Sequence, residues 1–213
     1  MTKDDVRENL ILAYNRAVEE RDQRDVPPWK QGERERVLQL LLEEEKSTLV
    51  DLGSGPGIHA QFFRDRGLDV TCLDLSSENI KRCLEKGLKA HELDLAGVAS
   101  LGIQFDAAFA MNSLLHVPRA DLHDTLASIS GSLNPGGLFY WGQYGGRESE
   151  GIYGEDRYEP KRFFSLLTDR QIADEASKLF SLEQFATIEL EDGDELHYQS
   201  LLLRVSATGT NTA

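Results

Sequence analysis

Val6, Leu10, Tyr14, Ala17 and Val18 recur at the three- and four-residue intervals of one helix face, so the chain opens with an amphipathic helix. Pro27-Pro28 interrupts it, and Val37, Leu38, Leu41 and Leu42 mark a second helix. The period then changes. Short apolar runs at 48–52, 70–75, 89–95, 105–111 and 138–143 alternate with helical stretches. Continuous apolar runs of that length suit parallel strands buried on both faces. Repeated strand–helix–strand units give a doubly wound sheet. Ser76 is placed to cap a helix ending near Gly87, and Pro118 opens another that stops at Asn134-Pro135-Gly136-Gly137. Thr168 and Gln171 have capping-box spacing ahead of Ile172, Ala176 and Leu179. The rhythm breaks at the end, where strand-like runs at 185–190 and 196–205 are separated only by Glu191-Asp192-Gly193-Asp194-Glu195. That connection is too short for a crossover helix, so the two strands are antiparallel. The expected fold is α/β: a mostly parallel, doubly wound sheet ending in an antiparallel hairpin.

Candidate chemistry concentrates at Leu49-Val50-Asp51-Leu52-Gly53-Ser54-Gly55-Pro56-Gly57-Ile58, between a strand and a helix. Glycines there allow a tight turn and a close ligand approach. A phosphate-cradling Walker loop needs a terminal Gly-Lys-Ser/Thr, which is missing. A dinucleotide fingerprint needs glycine where Ile58 stands. Asp51 discriminates further, because a carboxylate beside a diphosphate in a partly desolvated cleft repels it by several kcal/mol, on the order of a Coulomb estimate at effective dielectric 20. A cationic adenosyl ligand reverses that sign. Asp74 ends the next strand at about the spacing of a ribose-holding acid. Asp94 closes the third and is placed to accept from an adenine amine. Each acid also has a plainer reading: Asp51 as a turn cap, Asp74 as a helix N-cap beside Ser76, Asp94 as a loop acid.

Composition narrows the partners. The chain has 213 residues, with 23 Lys+Arg against 37 Asp+Glu for a net charge of −14. Nucleic-acid binding draws on Lys and Arg to displace counterions, and anionic membranes attract the same residues, so neither partner is expected. Cys72 and Cys83 have no metal-site spacing and read as reduced, half-buried thiols; no metal is expected. The charged N-terminus has no signal-like apolar run, and no segment approaches the roughly 18 apolar residues of a membrane span. A cytoplasmic protein is expected.

VDLGSGPG, VTCLDLS, HELDL, FDAAFAMNSLLHVP and LNPGGLFYWG together resemble the class I S-adenosylmethionine-dependent methyltransferases over roughly residues 45–145. The family's first motif, an acid followed by G-x-G-x-G, is matched by Asp51, Gly53, Gly55 and Gly57. The resemblance implies a seven-stranded sheet with its last strand antiparallel. S-adenosyl-L-methionine is the implied cofactor and S-adenosyl-L-homocysteine its product. It further implies that Asp74 holds the ribose, that Asp94 and Leu95 border the adenine, and that the backbone near Met111 and Asn112 meets the methionine moiety, with Leu75 a further cofactor contact. One domain is expected over 1–205: a helical cover at 1–45, a cofactor core at 46–145, a substrate lid at 146–168, and a last helix with hairpin at 169–205. Residues 206–213 read as a flexible tail.

Tyr14 and Trp29 are candidates to close over the cofactor, the alternative for Tyr14 being membership of its helix's apolar stripe. His116, just past the fourth strand, is a candidate base, or else a packing residue. Tyr144, in the glycine-punctuated stretch 142–162, is the second catalytic candidate. Lys161-Arg162 reads as a solvated pair, with an acidic-substrate contact for Arg162 as the lesser alternative. The expected activity is methyl transfer to a small molecule. Met111-Asn112-Ser113-Leu114 stands where the family's amino-methylating nucleic-acid enzymes carry N-P-P-Y. The alternatives are a non-catalytic cofactor-binding module, or a protein or RNA acceptor. A nicotinamide-dependent reductase disagrees with Ile58 and Asp51. Oligomeric state is left open.

Overall fold

A computed structural model describes residues 3–190 and 196–207. Helix α1 (Lys3–Asp22) opens the chain, with Asp4 and Asp5 in its first turn and Arg21 in its last, each complementing the helix dipole. Helix α2 (Pro28–Glu43) follows, its start set by prolines that need donate no N–H there. Strand β1 (Thr48–Leu52), α3 (Ile58–Arg64), β2 (Asp69–Asp74), α4 (Ser77–Glu85) and β3 (Lys89–Glu92) come next, then β4 (Phe105–Met111), α5 (Arg119–Gly131) and β5 (Leu133–Gly145). Short strands β6 (Ser149–Ile152) and β7 (Phe163–Leu166) precede α6 (Asp169–Ser177), β8 (Ser181–Ile188) and β9 (His197–Arg204).

Seven strands form one sheet in the order β3-β2-β1-β4-β5-β9-β8. β2 pairs in parallel with both β1 and β3, and β4 in parallel with β5. β9 runs antiparallel to both β5 and β8. The parallel sheet and its antiparallel hairpin are therefore both present. The Asp-Gly connection at 191–195, and residues 208–213 of the expected tail, lie outside the described residues.

Several boundaries differ from the sequence reading. β3 stops at Glu92, and Leu95 instead opens a 3₁₀ helix (Leu95–Leu101) that buries Leu95 and Val98. Asp94 thus stands two residues beyond its strand. α5 ends at Gly131, and Asn134-Pro135-Gly136-Gly137 belongs to β5, whose pairing with β4 is irregular between Phe105 and Ala107. The start of β8 lies at Ser181, in a run too polar to read as a strand because its first four residues are exposed. Within 142–162, β6 pairs with β7 as a two-stranded ribbon. Cys72 and Cys83 are free and fully buried rather than half-buried. Ser76 caps α4 by accepting from the Asn79 amide, and Thr168 with Gln171 forms a complete capping box on α6.

The chain divides into two compact units: Met1–Asp94 with Ile152–Phe163, and Leu95–Gly151 with Phe164–Ala213. In the first, Leu49, Val50, Leu52, Phe63 and Leu73 are fully buried. In the second, Phe109, Leu126, Phe139, Trp141, Tyr198 and Leu201 are. Among the described residues no helix is long and apolar enough to cross a membrane, and no cluster of three metal-ligating side chains occurs.

Candidate functional site

In the first unit the glycine loop leaves β1 and is clasped to β2: Gly53 N and Ser54 N both donate to Leu73 O, at 2.8 and 2.9 Å. Gly53, Gly55 and Gly57 all have left-handed backbones, with φ of 71°, 56° and 82°. At Gly57, the N-cap of α3, a Cβ would lie 2.7 Å from Leu88 Cδ1 and 2.9 Å from Cys83 Sγ. Glycine is required there both by φ and by packing. Cys83 supports the loop from below, its thiol 3.3 Å from Gly55 O.

Asp51 is 2% exposed, and its Oδ2 has no hydrogen-bond partner. Burial, then the charge of Asp74, pushes its carboxyl up to about 7, against a weaker opposing bond from the Ala60 backbone. Asp74 accepts from Gly55 N at 2.8 Å, Ser76 N at 2.8 Å and Asn79 Nδ2 at 3.2 Å. Burial nevertheless raises its pKa too. A carboxylate has about four acceptor positions, so these three bonds leave Asp74 room for roughly one more. It both ties the loop to α4 and retains an open acceptor position. Leu75 is half-buried beside it, and Asp94 is half-buried as well, its Oδ2 3.9 Å from Arg7 Nε.

The raised Asp51 pKa has a consequence for stability. The unfolded carboxyl ionises near its ordinary 3.8, whereas the folded one holds its proton to about 7. Stability therefore falls as pH rises between those values and is level above them, by on the order of 4 kcal/mol for Asp51 alone. Asp51→Asn is expected to remove that share of the slope in urea unfolding at pH 5 and 7.5. An unaltered slope would show that another group carries it.

Tyr14, on α1, packs against Val6, Leu10 and Phe163. Its hydroxyl accepts from Arg162 Nη1 at 2.9 Å. Arg162 is not solvated, contrary to the sequence reading: its side chain is only 13% exposed, beside a 3%-exposed Asp156. It donates to both Asp156 oxygens at 2.8 Å, and its guanidinium lies 3.9 Å from the centre of the Tyr158 ring. Arg16 adds a bond to Glu159 O, so residues 152–163 are fastened along α1. The sequence reading missed Arg21. Its guanidinium lies 4.8 Å over the Tyr14 ring and bonds the Tyr158 hydroxyl. The signal was available, since seven residues separate Tyr14 from Arg21 and place both on one helix face.

In the second unit β4 ends at Met111, which is buried, and Asn112 takes a left-handed backbone with φ 58°. Asn112 N donates to Gly142 O at 2.7 Å, while Asn112 Oδ1 and Ser113 Oγ are buried without partners. Strain and unmet polar atoms together at a strand end are features of ligand sites. His116 follows in a 3₁₀ turn (Leu114–His116), half-buried, with its ring centre 4.8 Å from that of Phe164. Tyr144 packs edge-on against Tyr198 at 5.9 Å.

Against known families, residues 49–137 match the model described as a methyltransferase domain. The matched stretch holds the glycine loop, Asp51 and Asp74, the region whose motifs resemble the class I, S-adenosylmethionine-dependent methyltransferases. Its residues fit that cofactor: the buried Asp51 oxygen without a partner and the raised pKa values of two acids call for a cation. The left-handed glycines in turn leave the loop backbone open. The chain is 27% identical to the malonyl-[acyl-carrier protein] O-methyltransferase of Salmonella typhimurium over 131 residues, covering 61% of this chain and 51% of the relative. It thus spans about half the length of that curated relative. Among solved structures the chain resembles Burkholderia thailandensis 1,6-didemethyltoxoflavin-N1-methyltransferase, with a TM-score of 0.72 at 18% identity, covering 97% and 91% of the two chains. It also resembles the N-methyltransferase NodS of Bradyrhizobium japonicum, with a TM-score of 0.65 at 14% identity, covering 91% and 98%. Both structures are described as holding S-adenosylhomocysteine.

Proposed function

We propose that this protein transfers a methyl group from S-adenosylmethionine to a small-molecule acceptor, free or carrier-linked. The observation that carries the reading is the buried carboxyl of Asp51, whose Oδ2 has no partner, beside a left-handed glycine loop. A site so built is short of a cation. The names of similar proteins, a malonyl-carrier O-methyltransferase and a toxoflavin-precursor N-methyltransferase, support an acceptor of metabolite size.

The bound donor supplies an already activated methyl on sulfur. The protein's own part is orientation and charge. Gly53, Gly55 and Gly57 admit the donor close to the backbone, and Asp74 offers its remaining acceptor position to a ribose hydroxyl. Asp51 ionises when a positive group lies near it. Leu75 is a further donor contact, and Asp94 and Leu95 border the base. Met111 and Asn112 meet the amino-acid end, where Asn112 Oδ1 and Ser113 Oγ gain partners. Tyr14, pinned by Arg162, covers the donor. His116, or else Tyr144, takes a proton from an acceptor that is a poor nucleophile.

Titration calorimetry with S-adenosylmethionine tests the donor site, and release of S-adenosylhomocysteine in the presence of candidate acceptors tests turnover. Binding without turnover across broad acceptor sets would favour a non-catalytic binding module. His116→Ala is expected to leave donor affinity unchanged and to reduce turnover by about 10²–10⁴-fold, the usual range for loss of a general base. Parallel loss of both would assign His116 a packing role instead.

A further inference from the structure

Helix α4 is capped twice, once from within and once from α1. Ser76 Oγ accepts from the Asn79 amide at 3.1 Å, the usual N-cap bond. The Ser76 hydroxyl then donates its own proton to Asn15 Oδ1, at 2.6 Å and across 61 residues of sequence. The same Asn15 atom accepts from the Glu78 amide at 3.4 Å. Two donors meet that atom, which identifies it as the amide oxygen. N–H groups that a helix start leaves unpaired are thus met by one side chain of the turn and by one from another helix. The turn fixed in this way is the one that aims Asp74. Asp74 Oδ1 accepts from Ser76 N and from Asn79 Nδ2, so α4 occupies one carboxylate oxygen. Oδ2 accepts from Gly55 N, and the remaining acceptor position lies on that oxygen. A carboxylate turns as a plane, so the two α4 donors on Oδ1 set where Oδ2 faces. Ser76 and Asn79 are fully buried and Asp74 nearly so, which leaves water little access to replace these bonds.

We propose that Asn15 is a positioning residue for the ribose acid. By holding the Ser76 hydroxyl and the start of α4, it keeps Asp74 Oδ2 turned toward the ribose hydroxyls of the methyl donor. The proposal rests on the ribose role given above to Asp74. It gives α1 a part in donor binding that is separate from the cover supplied by Tyr14: Asn15 touches no donor atom and acts only through Ser76 and the first turn of α4.

The test compares the full chain with its Asn15→Leu and Asn15→Asp variants in titration calorimetry. Leucine is close to asparagine in size and is the better helix former, so α1 itself is not weakened. The probes are S-adenosylhomocysteine and its 2′,3′-dideoxy analogue, which has no ribose hydroxyls. Asn15→Leu is expected to weaken S-adenosylhomocysteine by about ten-fold and to bind the dideoxy analogue like the unaltered chain. Asn15→Asp keeps acceptor oxygens at the same point and is expected to regain most of that loss. The proposal is overturned if Asn15→Leu binds S-adenosylhomocysteine normally, or weakens both probes in proportion, since α1 would then serve by packing alone. A loss in Asn15→Asp as large as that in Asn15→Leu overturns it too. An unaltered chain that binds both probes equally removes the ribose role of Asp74, and this proposal with it; one that binds neither counts against the donor site as a whole.

Discussion

Asp74→Ala is expected to weaken donor binding by on the order of 1–3 kcal/mol, about ten- to a hundred-fold, and to lower the melting temperature as well. The two effects share a cause. Asp74 accepts from the Gly55 and Ser76 amides and from Asn79 Nδ2, so alanine strands three donors in a buried place. The glycine loop then loses its tie to α4, and the donor loses a charged acceptor. Asp74→Asn is not expected to be silent, because its NH₂ must face either the Gly55 or the Ser76 amide, donor against donor. Calorimetric titration with S-adenosylhomocysteine, alongside thermal unfolding, separates the terms. Unchanged affinity in a destabilised Asp74→Ala protein would reduce Asp74 to a loop anchor.

Gly142→Ala is expected to destabilise the fold by about 2–4 kcal/mol, the upper range for overpacking a rigid core. A Cβ at Gly142 would lie 1.9 Å from Tyr198 Oη and 2.6 Å from Tyr140 Oη. Neither tyrosine has room to retreat: both are fully buried, their hydroxyls are 3.0 Å apart, and Tyr140 is stacked on Phe109. The displacement reaches the candidate site directly, because Gly142 O holds the Asn112 amide. Chemical denaturation gives the loss, and a value below about 1 kcal/mol would show that the tyrosines move aside.

How much of this was legible depends on the range of each interaction. Ser76 and Thr168 announced their helices because a cap and its amide are three residues apart. The glycine loop was legible because left-handed backbone leaves few residue choices. The closing hairpin followed from loop length alone, although β8 begins among exposed polar residues that hide its start. Arg162 shows where local reading stops. Next to Lys161 it looks like a surface charge, yet one of its partners, Tyr14, lies 148 residues earlier in the chain. Asp94 misled for the opposite reason: an acid after apolar residues mimics a strand end, while the ladder stops at Glu92.

The fastening of residues 152–163 along α1 also sets an order of events during synthesis. Val6 and Leu10 complete their apolar cluster with Phe163, and Ala13 and Ala17 complete theirs with Tyr158. A nascent chain that has emerged as far as Asp94 can seat α1 on α4, but the apolar positions that face Tyr158 and Phe163 stay uncovered for nearly 70 further residues. Translation proceeds at roughly 5–20 residues per second, so that apolar stripe waits for several seconds before its covering segment leaves the ribosome. Helix α1 is thus made well before the segment that completes its packing.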